Sequence, residues 1–286
     1  PFIKFQASDT VRWFEDRGVE IKHEEDGRMF PVTNNSGTII DCFMKEAEKY
    51  KVQLVTQSNI KSIKKLENGR LSLLINEDKN YIADSVLIAT GSMPSGYRLA
   101  KTLGHTITEI APSLFTFKIE DLILENLAGT SFTNSSLTLK IDSTKEFYQK
   151  GPLLITHWGL SGPALLKLSA WAAREMMHSN YKAKIIINWL GLDSINDVKN
   201  ILNNIKNNNT KAKIGNVYPN EITKRFWLQL LIKSGVEKEK NWSEINKKEF
   251  NIIVTNIFSC ELKVLGKSRF KEEFVECGGV NLKEIN

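Results

Sequence analysis

Residues 81–92, YIADSVLIATGS, decide how this chain reads. Val86, Leu87, Ile88 and Ala89 form an unbroken apolar run. A run without alternation suits a strand buried on both faces of a sheet. Thr90-Gly91-Ser92 then ends it with small residues, beside which another backbone or a bound group can come close. The same pattern also fits a plain buried strand with a small-residue turn. Upstream, residues 60–66, 71–76 and 80–84 are short β-like stretches, and Glu67-Asn68-Gly69 is a good hairpin turn between the first two. The expectation is a three-strand meander feeding a buried strand.

Working back towards the start, Ser8 reads as the N-cap of a helix over residues 9–17, with Gly18 as its stop. Residues 19–22 read as a strand and Asp26-Gly27 as a tight turn. Residues 28–32 read as an extended segment, whose Pro31 forbids a central ladder position. Ile39, Ile40, Phe43, Met44 and Ala47 recur at helical spacing, so residues 38–50 read as an amphipathic helix and residues 52–55 as the next strand. Helix, strand, meander and strand together make an α/β layered domain.

Working forwards, a short helix over residues 97–103 stops at Gly104. From Leu114 to Ile141 the pattern alternates as antiparallel β does, so a domain boundary falls near Pro112. Residues 153–155 read as a strand. Gly159, Ser161, Gly162 and Pro163 mark a turn, and Pro163 starts a helix through Met177. A strand over residues 183–190 follows, then helices over 194–206, 221–233 and 246–258. β-like sequence resumes at 261–265 and 273–277. The helical block therefore reads as an insertion in a β domain.

The chain has 286 residues, of which 41% are hydrophobic and 25% charged, enough for two ordinary globular cores. Its net charge of +6 comes from lysines and arginines spread along the chain. No aromatic-plus-basic stripe shows in the linear sequence, so nucleic acid is not expected as a partner. Three distant cysteines, with no CxxC, point to a reducing, cytoplasmic compartment without disulfides. Four isolated histidines lack metal-ligand spacing. No apolar run approaches the roughly 18 residues of a membrane span, and no signal peptide is expected. Pro1 at the start and residues 278–286 at the end both read as the middle of something, so the chain is expected to be an internal piece.

Three stretches carry a resemblance: residues 27–33 (GRMFPVT), 86–92 (VLIATGS) and 155–163 (ITHWGLSGP). In this order and spacing the chain resembles a bacterial family of NAD(P)/FAD-dependent oxidoreductases, which includes bile-acid 3-dehydro-4,5-reductase-like and aminoacetone oxidase-like flavoproteins. Residues 101–107 and 278–285 fit as well, and the resemblance covers nearly the whole chain. It implies a partial Rossmann-like FAD-binding domain over residues 1–112. It also implies an inserted β-barrel over 113–191 and 260–277, a helical subdomain over 192–259, and a return to the FAD-binding domain from 278. The family's GxGxxG turn and its C-terminal flavin-contacting segment are not in this sequence, so these residues alone are expected to bind FAD poorly or not at all. The family's longer loop after Ala-Thr-Gly is also missing, and its contacts cannot be carried over.

The resemblance implies that Thr90 and Gly91 pass close to FAD, with Ser92 beside them and Ile60 near the adenine. Arg28 can hold planar anionic oxygens bidentately, or can be a surface hairpin arginine. His157 is a weak catalytic candidate before a Gly-Leu-Ser-Gly turn at a helix N-terminus, a place suited to anions or carbonyl oxygens. Its other role is to hold that turn. No metal site is expected. The implied activity passes hydride from NAD(P)H through flavin to a small organic acceptor such as a conjugated enone. The alternatives are an RNA-modifying flavoprotein and a non-catalytic capping or partner-binding module.

Overall fold

The computed structural model describes residues 4–24, 27–141, 145–267 and 275–285. Asp26 of the expected tight turn, Pro1, and residues 273–274 of the last expected strand lie outside these. The chain divides into two compact units, Pro1–Ile63 with Arg70–Ala83, and Lys64–Gly69 with Asp84–Asn286.

The first unit opens with helix α1 (Ala7–Glu15). Its cap is Gln6, whose backbone N–H donates to Asp9 Oδ2 at 2.8 Å, and not the expected Ser8, which lies inside the helix. An acid three residues after the cap closes this reciprocal arrangement at Gln6. Strands β1 (Ile21–His23) and β2 (Met29–Pro31) pair as an antiparallel ribbon in which Pro31 opposes Ile21. The ladder bonds fall on the neighbouring pairs, with Val32 N–H donating to Glu20 O at 3.0 Å, so the missing proline N–H costs no ladder bond. Helix α2 (Ser36–Lys49) starts where the Asn35 side chain accepts from Gly37 N–H at 2.8 Å. Arg17 meets Glu46 of α2 at 2.7 Å, and the rings of Trp13 and Phe14 lie 5.4 and 5.5 Å from that of Phe43. Strands β3 (Ile60–Lys65), β4 (Leu71–Ile75) and β5 (Lys79–Ala83) form the expected meander.

Two expected strands are not strands. Residues 52–55 and 86–89 lie outside every ladder, and Leu87 is 89% exposed. A strand exists only through hydrogen bonds to a neighbour, and neither stretch has one among the described residues. The Rossmann-like sheet they were to build is therefore absent from the described structure.

The second unit holds helix α3 (Pro94–Thr102), then β6 (Ile107–Ser113), β7 (Phe117–Lys118), the long hairpin β8 (Ser131–Lys140) with β9 (Glu146–Thr156), and β10 (Gly159–Ser161). Helices α4 (Pro163–Trp171) and α5 (Ala173–His178) follow, where one helix was expected; Ala172 between them has ψ 11°. After β11 (Ala183–Asn188) come helices α6 (Ile195–Asn208), α7 (Lys224–Lys233) and α8 (Lys247–Phe258). The chain then continues through β12 (Cys260–Val264), β13 (Gly266–Lys267) and β14 (Val275–Val280).

Seven strands make one sheet in the order β12-β11-β8-β9-β10-β7-β13. Its two edge strands are separated in the chain by Leu265 alone, whose N–H donates to Lys118 O at 2.9 Å. The sheet thus curls back on itself. Of the expected β-barrel, the described residues show this curled sheet but no closed barrel: β12 pairs with β11 and β13, the next stretch of the same chain, with β7. β6 and β14 pair separately as an antiparallel ribbon.

Alternation along β8 and β9 turns Leu137, Leu139, Leu153 and Ile155 inwards, against Leu165 and Leu168 of α4. The helical block between β11 and β12 joins the same core through Trp189, which packs 4.7 Å from Phe226 and 4.9 Å from Phe132. Inside the block the buried indoles are satisfied: Trp227 donates to Ile214 O at 2.7 Å and Trp242 to Val217 O at 3.1 Å. Ser194 and Asp197 form a reciprocal cap at the start of α6, as Asn246 and Glu249 do for α8.

Candidate functional site

Thr90, Gly91 and Ser92 form an exposed turn just before α3. Gly91 has φ +56°, a left-handed conformation that glycine adopts at little cost, and the space where its Cβ would point is open. The Thr90 carbonyl accepts from Met93 N–H at 3.3 Å. Among the described residues no backbone acceptor meets the N–H of Gly91 or Ser92. The close packing that the small residues suggested is met at another glycine. A Cβ on Gly96 would sit 3.0 Å from Thr90 Cβ and nearer still to its hydroxyl, so Gly96 lets α3 seat against the turn. The next residue, Tyr97, donates to Glu276 of β14 at 2.8 Å. Burial, and then that carboxylate, push the Tyr97 phenol above its usual range.

His157 is exposed in the β9–β10 turn. It lines a pocket of about 670 Å³ together with Thr156, Gly159 and residues 119–122, 124 and 125, which include Glu120, Asp121 and Glu125. Lys233 of α7 meets both Asp121 oxygens at 2.8 Å. Glu120 is paired in turn with Lys118 at 2.9 Å, so lysines offset two of the three carboxylates. Strand β10 stands between His157 and the start of α4, so the expected helix N-terminus is not beside it.

The Gly159-Leu160-Ser161-Gly162 stretch has a structural reason. A Cβ on Gly159 would meet Ile119 N at 2.6 Å and the Phe117 carbonyl closer still, and one on Gly162 would meet Leu154 N at 2.9 Å. Both glycines let strands cross where β10 joins β9 to β7. Ile119 N–H donates to Trp158 O at 3.0 Å, and Thr116 donates to Ser161 at 3.2 Å.

In the first unit, Arg28 is exposed before β2, its guanidinium 5.5 Å from the Phe30 ring. Ile60 is half-buried at the start of β3. Within the second unit the pocket at His157 includes none of Thr90, Gly91 and Ser92. Tyr97–Glu276 and Asp121–Lys233 leave no signal in the sequence, because the partners lie 179 and 112 residues apart, a distance no local pattern spans. Among the described residues no cluster of His, Cys, Asp and Glu could hold a metal ion, and no helix is long and apolar enough to cross a membrane.

A curled seven-stranded sheet with three helices inserted between β11 and β12 defines a recognised class. Residues 111–275, more than half of the chain, match the family described as "HI0933-like protein barrel and H2TH domain", and the chain belongs to that family. A Haemophilus influenzae protein named "Ribosomal RNA dihydrouridine synthase" is 24% identical over 304 residues, spanning 100% of this chain and 71% of that protein. An Escherichia coli protein of the same name is 22% identical, spanning 99% and 69%. The "3-dehydro-bile acid delta(4,6)-reductase" of Clostridium scindens is 21% identical, spanning 99% and 70%.

Proposed function

We propose that this chain forms the larger part of a flavin-dependent reductase that adds hydride and a proton across a carbon–carbon double bond conjugated with a carbonyl, and that its substrate is uracil in ribosomal RNA. The observation that carries the reading is a chemistry common to relatives spanning at least 99% of the chain. Forming dihydrouridine saturates the uracil C5=C6 bond, which is conjugated with the C4 carbonyl. In uracil the C5=C6 π bond breaks, hydride arrives at C6, the carbon β to the carbonyl, and a proton arrives at C5 beside it. A 3-dehydro steroid with double bonds at positions 4 and 6 is the extended form of the same chemistry, with C5 and C7 as its conjugated hydride acceptors.

FAD, when bound, supplies the hydride chemistry, and the protein supplies position and electrostatics. The Thr90–Ser92 turn fits one contact with such a dinucleotide. It is exposed, Gly91 presents no side chain, and among the described residues the N–H groups of Gly91 and Ser92 have no backbone acceptor. An anionic pyrophosphate is the kind of group that such N–H pairs receive. Ser92 adds a hydroxyl beside them. Arg28 and Ile60 are second-rank contacts, and His157 is the residue to test as a proton carrier. NAD(P)H is the proposed electron donor. RNA is preferred to a steroid because two of the three relatives are named for a ribosomal RNA reaction.

The test is to purify the protein containing this chain and record its flavin absorbance. Anaerobic NADPH or NADH is then added, followed by unmodified ribosomal RNA. Bleaching, and then a mass gain of two hydrogens on a uridine, are the expected results. A protein that stays colourless after incubation with FAD would overturn the flavin reading. A yellow protein that reduces a steroid dienone but no uridine would overturn the substrate.

A further inference from the structure

We propose that the outer face of α4 and α5, carrying Lys167, Trp171, Arg174 and His178, binds single-stranded RNA, with Trp171 stacking on a base and the cations meeting phosphates. The inference rests on the reading of ribosomal RNA as the substrate and adds to it a place of contact.

The four residues stand at positions i, i+4, i+7 and i+11. Ala172 N–H donates to Leu168 O at 3.1 Å, and Met176 N–H to Ala172 O at 2.8 Å, so helical hydrogen bonding crosses the irregular residue. That spacing places all four on one side, one above another. The opposite side, with Leu165, Leu168, Ala172, Ala173 and Met176, is the buried face. Trp171 is 73% exposed. It therefore contributes little to the fold, although its ring offers more apolar area than most side chains.

Two of these side chains are held in place from below. Arg174 Nη1 donates to the Glu109 backbone carbonyl at 3.1 Å and lies 4.0 Å from the Glu109 carboxylate. His178 Nε2 stands 3.1 Å from the same carboxylate. Glu109 offsets one charge, and Glu175 nearby is matched by Lys145 at 3.0 Å, so the stripe stays positive through Lys167 and Arg174. A helix face built for a protein groove repeats aliphatic anchors every turn, and one built for a lipid surface shows a broad apolar band. This face has one rigid ring among cations, the combination that tracks a single strand without reading its sequence. The linear sequence hid it, since helical spacing there was read for apolar residues.

The experiment titrates the protein containing this chain against a fluorescein-labelled, uridine-rich single-stranded RNA by anisotropy, at several salt concentrations. Trp171→Ala is expected to weaken binding about tenfold, and Trp171→Phe, which keeps a ring, much less. Lys167→Ala should weaken binding and make the salt dependence shallower by about one unit of log–log slope. Because Trp171 is exposed, its variants should melt with the wild type, which separates lost contact from lost folding. Wild-type binding that Trp171→Ala leaves unchanged would overturn this surface and leave the RNA reading standing. No RNA binding by the wild type would overturn both. Trp171-dependent capture on phosphatidylglycerol vesicles without RNA binding would assign the face to lipid instead.

Discussion

The backbone nitrogen of Ile119 lies 2.6 Å from the point that a Cβ on Gly159 would occupy. The two residues sit where the short strands β7 and β10 join, near the point at which the curled sheet comes back on itself. Gly159 also has φ +142°, which a side chain would strain. Gly159→Ala should therefore cost roughly 2–4 kcal/mol, combining strain with a backbone clash. Gly69→Ala, at a hairpin position with φ +81° and nothing within 4 Å, should cost about 1 kcal/mol. Urea unfolding of the two variants checks the difference.

Leu87→Ser should change stability by less than about 0.5 kcal/mol, because Leu87 is 89% exposed. A strand buried on both faces would make the same change cost several kcal/mol, as large core truncations do. A loss of that size on urea unfolding would restore the strand that the apolar run suggested.

Phe226 is fully buried between Trp189 and Phe132. Phe226→Ala should cost about 3–5 kcal/mol, because it opens a cavity where the helical block meets the sheet. Calorimetry should show both parts of the second unit losing stability together. A melt confined to the helices would show that the block folds independently.

Cys260 is buried, and burial pushes its thiol up to about 11. Cys42 is buried as well, while Cys277 is partly exposed. Iodoacetamide near neutral pH should label Cys277 in the native protein and all three in denaturant, read by peptide mass spectrometry.

Glu46 sits below its ordinary value of 4.5, chiefly through the hydrogen bond from Arg17. Glu284 is lowered mainly by hydrogen bonds from Thr106, and Glu249 mainly by Lys240. A depressed native value gives stability that is fully present above the unfolded value and lost as pH falls through the native one. The melting temperature should therefore hold from neutral pH down to about 5 and fall below about 4.5. Glu46→Gln should lower it at neutral pH, with the gap to wild type closing in acid.

Much of the second unit was legible because its signals are local. Ser194 with Asp197, Asn246 with its own first turn, Pro163 at a helix start and the alternation along β8 each lie within a few residues of what they specify. The reading failed where the deciding partner is remote. The run at 86–89 and the stretch at 52–55 have strand composition, yet no neighbour supplies their hydrogen bonds. Ser8 looked like a cap until Asp9 proved to reach back to Gln6.

The candidate site divides in the same way. The small residues at 90–92 and the glycines at 159 and 162 were visible as composition. Only the fold showed that the first group is an open turn and the second a strand crossing. Likewise Lys167, Trp171, Arg174 and His178 were present as letters, but a shared helix face brings them together, and Glu109 on β6 holds two of them.

By itself the sequence determined the helical segments, apart from the break at Ala172, the starts of α4, α6 and α8, and that a β region surrounds a helical insertion. Periodicity and capping are properties of neighbouring residues, so one chain is enough to read them. The tertiary structure alone decided the strand order, the curl that brings β12 and β13 to opposite ends of one sheet, and the partners of Tyr97, Asp121 and Glu109. Those depend on hydrogen bonds and charges between segments far apart in the chain, whose meeting no local pattern encodes.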